Sequence, residues 1–156
     1  MPRSTPDIAS ADVPQAPNLA RIRAVVTAIA AGETNLDLIA EETDISARHV
    51  GYAVRAAQAL DLLDRDRVLT PRGRALLETE QESVAERTAF REAVEGSPIL
   101  RALAPSLLSA RPPTKKVLGA RIEKLSGLSK ATAEHRASDL LAWREQILEQ
   151  DGEATS

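Results

Sequence analysis

The sequence predicts an all-α chain made of two helix-turn-helix units, the first closed by one small β-hairpin and the second without one. Three observations carry this prediction. Apolar residues recur at helical spacing through most of the chain. Hydrophobic residues are 43% of the 156 but aromatic ones only 2%, so Leu, Ile, Val and Ala must fill the core, and an aliphatic, Ala-rich core suits helices better than sheets. Two segments 83 residues apart also share one pattern of helix, tight turn and capped second helix.

A chain of this length suits one compact body. Residues 1–17 hold four of the nine prolines among scattered Ala and Ser, a composition that reads as a disordered arm because it offers little apolar surface to bury. The first unit spans residues 18–80. Leu19, Ile22, Val25, Val26 and Ile29 form the stripe of a first helix, with Arg21 and Arg23 off it, and Gly32 stops that helix.

Leu36, Ile39 and Ala40 give a short second helix, followed by the turn Thr43-Asp44-Ile45 with its Ile directed inward. Ser46 stands where a hydroxyl can accept from the free N–H groups of a third helix. That helix buries Val50, Ala53, Val54, Ala57 and Leu60 and turns Arg48, Tyr52 and Arg55 outward.

Leu62-Leu63 and Val68-Leu69, separated by residues 64–67, read as the arms of a tight β-hairpin. Thr70 then caps, and Pro71 opens, a further helix. Residues 81–110 form connecting helices: one around Val84, Ala85, Phe90 and Val94, ended by Gly96-Ser97-Pro98, and a short apolar one over 99–108. Arg111-Pro112-Pro113 breaks the chain, and residues 111–150 form the second helix-turn-helix with a long C-terminal helix. An acidic tail, 151–156, closes the sequence.

The repeat appears when Ile39 is laid on Ile122 without a gap. Ile39 and Ile122 match as core residues of the first helix, Asp44 and Gly127 as the turn, and Ile45 and Leu128 as the buried turn residue. Ser46 and Ser129 match as caps, and Val50 and Ala133 as the first buried residue of the second helix. The turn calls for a left-handed backbone position, which Gly adopts freely and Asp tolerates.

The net charge of −3 speaks against a protein that coats nucleic acid without specificity. Its distribution is uneven. Glu33, Asp37, Glu41, Glu42 and Asp44 form an acidic stretch, whereas Arg101, Arg111, Lys115, Lys116, Arg121 and Lys124 make a basic one interrupted only by Glu123.

The absence of Cys removes disulfides, thiolate metal sites and cysteine nucleophiles. There is no apolar run of signal-peptide or membrane-spanning length, so a cytoplasmic protein without membrane contact is expected. His49 and His135 are isolated, with no second ligand at metal spacing, and no phosphate-cradling loop or nucleophile elbow occurs. The expectation is a non-enzyme with no catalytic residue, metal, cofactor or small-molecule substrate.

The candidate nucleic-acid contacts are Ser46, Arg48, His49, Tyr52 and Arg55 on the third helix, Arg65 and Arg67 at the hairpin tip, and Lys115, Lys116, Lys124, Lys130 and His135 in the second unit. Arg can bridge guanine edges or hold phosphate, and Tyr can bond phosphate or pack on sugar. A solvated helix face is the alternative for the helical groups, and a simple surface turn, in which Asp64 and Asp66 alternate with the arginines, is the alternative for Arg65 and Arg67. Leu140, Trp143 and Ile147 share an apolar face with Arg144 near its middle, which reads as core or as a partner or dimer interface.

Residues 18–78 resemble the winged helix-turn-helix superfamily. The order of three helices, hairpin and helix is that family's, and IAEETDIS is close to its usual turn, with Asp44 in place of the customary Gly. More narrowly, Arg48, Tyr52, Ala56-Ala57, the LTPRGRALL segment and the Arg136-Ala137…Trp143…Ile147 ending look like an accessory module found beside restriction endonucleases and bacterial defence ATPases.

The resemblance implies a DNA-binding accessory protein or regulator in an antiviral defence or restriction system, with double-stranded DNA as its target. The alternative is an adaptor that docks another protein through the first unit and the C-terminal helix.

Overall fold

A computed structural model describes residues 8–148 of the chain. A 3-10 turn, Ser10–Asp12, precedes eight α-helices: α1 Leu19–Ala30, α2 Leu36–Thr43, α3 Ala47–Ala59, α4 Pro71–Leu77, α5 Val84–Gly96, α6 Pro98–Leu103, α7 Lys115–Ser126 and α8 Lys130–Ile147. No strand occurs among the described residues, and none of these helices is long and apolar enough to cross a membrane.

Each helix begins where a short polar side chain satisfies otherwise free backbone N–H groups. Asn18, Asn35, Ser46, Thr70, Ser83, Ser97, Thr114 and Ser129 all accept from an amide two or three residues ahead. Pro71 and Pro98 occupy first turns, where no amide hydrogen is missed.

Both predicted turns form. Asp44 closes α2 at φ 58°, ψ 34°, and Gly127 closes α7 at φ 78°, ψ 5°. Both are left-handed, and a new helix starts at Ser46 and at Ser129. Ile39 and Ile122 are fully buried, as are Val50 and Ala133. Ile45 is buried too, while Leu128 is only partly covered.

The β-hairpin does not form, so the first unit is not a winged helix. What remains is one isolated antiparallel bridge, Leu63 with Leu69. The reason lies in where the backbone donors go. The amides of Leu62 and Leu63 both donate to the Ala57 carbonyl at the end of α3, at 2.8 and 3.4 Å. Thr70 donates back to Leu62 while capping α4. Little backbone is left for a ladder, and residues 64–67 form a tight turn stabilised by the Asp64 carboxylate, which accepts from the amides of Asp66 and Val68 at 2.8 and 2.9 Å.

Residues 8–17, expected as part of a disordered arm, are packed into the body. Residues 1–7 lie outside the described residues, as do positions 149–156 with the acidic tail. Ile8, Val13 and Ala16 are buried. Their backbone is held as well: the Ile8 amide donates to Leu125, Arg136 donates to the Val13 carbonyl at 3.2 Å, and Gln146 Nε2 donates to the Pro17 carbonyl at 2.7 Å. Apolar residues at this wide spacing, with a 3-10 turn between Ile8 and Val13 and Pro14 before Ala16, leave no period for sequence reading to detect.

The core sits between α1, α3, α5 and α8, and α7 packs along α8. Trp143, the largest side chain in the chain, is fully buried. Arg23, read from the sequence as lying off the stripe of α1, is also buried. Its guanidinium pairs with Glu86 at 2.8 Å and donates to the Thr79 hydroxyl and carbonyl, which supplies the partner that a buried cation requires.

Candidate nucleic-acid interface

Helix α3 presents the candidate side chains because its apolar residues fix which side faces inward. Val50, Ala53, Val54, Ala56 and Ala57 are buried, leaving Arg48, His49 and Arg55 exposed and Tyr52 half-covered. The Ser46 hydroxyl accepts from the His49 amide at 3.3 Å and is joined to His49 Nδ1 at 2.7 Å. Arg48 Nε donates to Tyr52 Oη at 2.9 Å, and the His49 ring meets Tyr52 edge to face. These contacts fix one turn of α3 as a unit.

Arg65 and Arg67, expected at a hairpin tip, sit on the 64–67 turn. Gln58 Nε2 donates to the carbonyls of Asp64 and Arg65, which ties this turn to α3. Arg48, Arg55, Arg65 and Arg67 thereby line one open groove of ≈520 Å³, together with Gly51, Tyr52 and Gln58. No acid lines it. At its edge Asp12 pairs loosely with Arg55 at 3.8 Å, while Arg48, Arg65 and Arg67 make no ion pair among the described residues.

Behind this groove lies a second concavity, ≈470 Å³, between α3 and α8. It is lined by Arg48, His49, Tyr52 and Ala53 of α3, by His135 and Asp139 of α8, by Gln15, Ala16, Pro17 and Asn18, and by Arg21 of α1. The second helices of the two repeated units thus share one cleft. Arg48 and Tyr52 line both the groove and the cleft.

Of the predicted second-unit residues, only His135 joins the α3 residues. Lys115, Lys116, Lys124 and Lys130 are exposed and line neither concavity. The C-terminal residues expected as an interface are differently placed: Leu140, Trp143 and Ile147 are buried in this chain's own core. Arg144 donates to the carbonyls of Leu107 and Ser109 at 2.8 and 2.7 Å, which explains a cation beside an apolar stripe without a partner chain.

Sequence reasoning missed Asp139. It is only 7% exposed, and its carboxylate makes no hydrogen bond or close ion pair among the described residues. Burial pushes its carboxyl above the usual carboxylate range, while the charges of His135 and Arg136 act the other way. Arg136 is shifted down by its own burial, against the opposing pull of Asp139 and Tyr52. An Asp on the inner side of a helix, where an apolar residue is the rule, was the available signal.

No group of three or more His, Asp or Glu placed to hold a metal ion occurs among the described residues. Comparison of the chain with protein-family models, with curated proteins and with solved structures finds no match.

Proposed function

We propose that the protein binds double-stranded DNA through the helix-turn-helix of α2 and α3, acting as an accessory protein or regulator. The observation that carries this reading is the acid-free groove in which Arg48 and Arg55 of α3 stand beside Arg65 and Arg67 of the following turn. A helix held at a fixed angle by a tight turn, with exposed cations along it, is the arrangement that enters a major groove. Cations on an adjoining loop suit the flanking phosphates. With only one bridge, the 64–67 turn acts as a short loop that directs Arg65 and Arg67 to the groove while Asp64 and Asp66 alternate with them.

A setting in bacterial defence or restriction rests on the sequence resemblance described above and belongs to the same proposal. The adaptor alternative has less support, because Leu140, Trp143 and Ile147, which with the first unit were to form its docking surface, are enclosed by the protein itself.

The test is fluorescence anisotropy of labelled duplex DNA at low salt with the wild-type chain, Arg48→Glu/Arg55→Glu, and Lys115→Glu/Lys116→Glu. The proposal expects affinity to collapse for the first variant and to fall much less for the second. Unchanged DNA affinity in Arg48→Glu/Arg55→Glu would refute it.

A further inference from the structure

The cleft between α3 and α8 combines three features, of which only Arg48 also serves the DNA-binding reading. It has the size of a small-molecule site, ≈470 Å³. It contains Asp139, a residue only 7% exposed, whose carboxylate makes no hydrogen bond or ion pair among the described residues and whose oxygens keep some access to the cleft. It also contains two guanidinium groups, Arg21 and Arg48, whose side chains are exposed. A buried carboxylate left unbonded is costly, and native proteins keep such groups bonded or use them. His135 and Arg136 influence Asp139 through charge but do not bond to it, and Arg136 is engaged with the Val13 carbonyl.

The ligand that satisfies all of this has N–H donors on one edge for the carboxylate and an anionic group for the arginines. Between them it needs a flat apolar body, for the Tyr52 ring, Ala16, Pro17 and Ala53 supply apolar surface along the cleft. An α-amino acid carries its ammonium and carboxylate on one carbon, with no flat body between them to separate the two groups. A purine nucleotide of the guanine type has all three parts: adjacent N1–H and 2-amino donors, a planar ring system and a phosphate.

We propose that this cleft binds a guanine-type mononucleotide, with Asp139 accepting from its N1–H and 2-amino edge and Arg21 and Arg48 holding its phosphate. A carboxylate accepting two parallel N–H groups discriminates sharply, since a base lacking those donors would cover the oxygens without bonding them. Adenine presents an unprotonated N1 and has no 2-amino group, so it loses both bonds. The cleft shares Arg48 and Tyr52 with the DNA groove but Asp139, His135 and Arg21 line the cleft alone, and the inference is tested without DNA, so its outcome is read separately.

The experiment is calorimetric titration of the full chain with GMP, AMP and inorganic phosphate, repeated on Asp139→Asn and Arg48→Ala, with amide NMR shifts locating the ligand. GMP is expected to bind at least about tenfold more tightly than AMP and to shift the resonances of Tyr52, His135 and Asp139. Asp139→Asn should abolish that preference without lowering the unfolding midpoint, and Arg48→Ala should weaken both nucleotides alike. Equal binding of GMP and AMP, binding of phosphate as tight as that of GMP, or no binding at all would each overturn the proposal. Were Asp139→Asn to misfold, the contrast between GMP and AMP on the wild-type chain would still decide it.

Discussion

The indole Nε1 of Trp143 donates a 2.7 Å hydrogen bond to the Ala16 carbonyl, joining the last helix to the segment ahead of the first across 127 positions of sequence. Both groups are buried, so the bond is shielded from water and its loss would leave a carbonyl unsatisfied. Trp143→Phe keeps most of the ring and removes the donor, and should lower stability by about 1–3 kcal/mol. Trp143→Ala, which empties the site, should cost about 3–5 kcal/mol. Urea unfolding measures both, and an unchanged midpoint for Trp143→Ala would show that residues 8–17 do not pack on α8.

The two repeated turns make opposite predictions. Asp44 has φ 58°, where a Cβ is strained, while its counterpart Gly127 has φ 78° and no Cβ. Asp44→Gly should therefore stabilise the chain by up to about 1 kcal/mol, and Gly127→Ala should destabilise it by about 1–2 kcal/mol. Thermal unfolding of the pair provides the check; equal effects of the same sign would contradict the shared turn geometry.

Two other glycines separate packing from propensity. A Cβ added at Gly73 in α4 would run into the Leu62 backbone carbonyl, whereas one at Gly51 in α3 meets nothing within 4 Å. Gly73→Ala should destabilise by about 1–3 kcal/mol or more. Gly51→Ala should stabilise by about 0.5–1 kcal/mol, because Ala restricts the unfolded chain and suits a helix interior. Denaturant midpoints of the two variants should move in opposite directions.

Asp139 gives stability a pH dependence. Burial raises its carboxyl above the unfolded value of 3.8, so the ionised form is the one that folding disfavours. The penalty is present in full above the folded-state pKa, and it disappears as the pH falls to the unfolded value. Asp139→Asn should therefore be more stable than wild type near neutral pH, with the difference closing as the pH approaches 3.8. A difference that widened on acidification would mean that the carboxylate is stabilised by a partner.

Most helices were legible because their signals are local. Ser46, Thr70 and Ser129 announce their own helices, and Asp44 and Gly127 mark turns whose backbone the structure confirms. The failures are all tertiary. The hairpin was lost because the amides of Leu62 and Leu63 turn to Ala57 instead of to a facing strand.

The N-terminal segment was misread because Ile8, Val13 and Ala16 take their value from α7 and α8, far along the chain. The face of Leu140, Trp143 and Ile147 was correctly read as apolar, yet composition could not say that this chain itself covers it. Arg48, Tyr52 and Arg55 were legible as an outward row, but the meeting of Arg48 and Tyr52 with His135 and Asp139 depends on how the two units pack together.

The most direct test of the account is the salt dependence of duplex DNA binding. Each phosphate held by an arginine releases counterions, giving a slope of about −0.9 per contact in log affinity against log salt. The quadruple variant Arg48→Ala/Arg55→Ala/Arg65→Ala/Arg67→Ala should flatten the wild-type slope by about three to four units. A wild-type affinity indifferent to salt, or a slope that the four substitutions leave in place, would contradict the assignment of this groove to DNA.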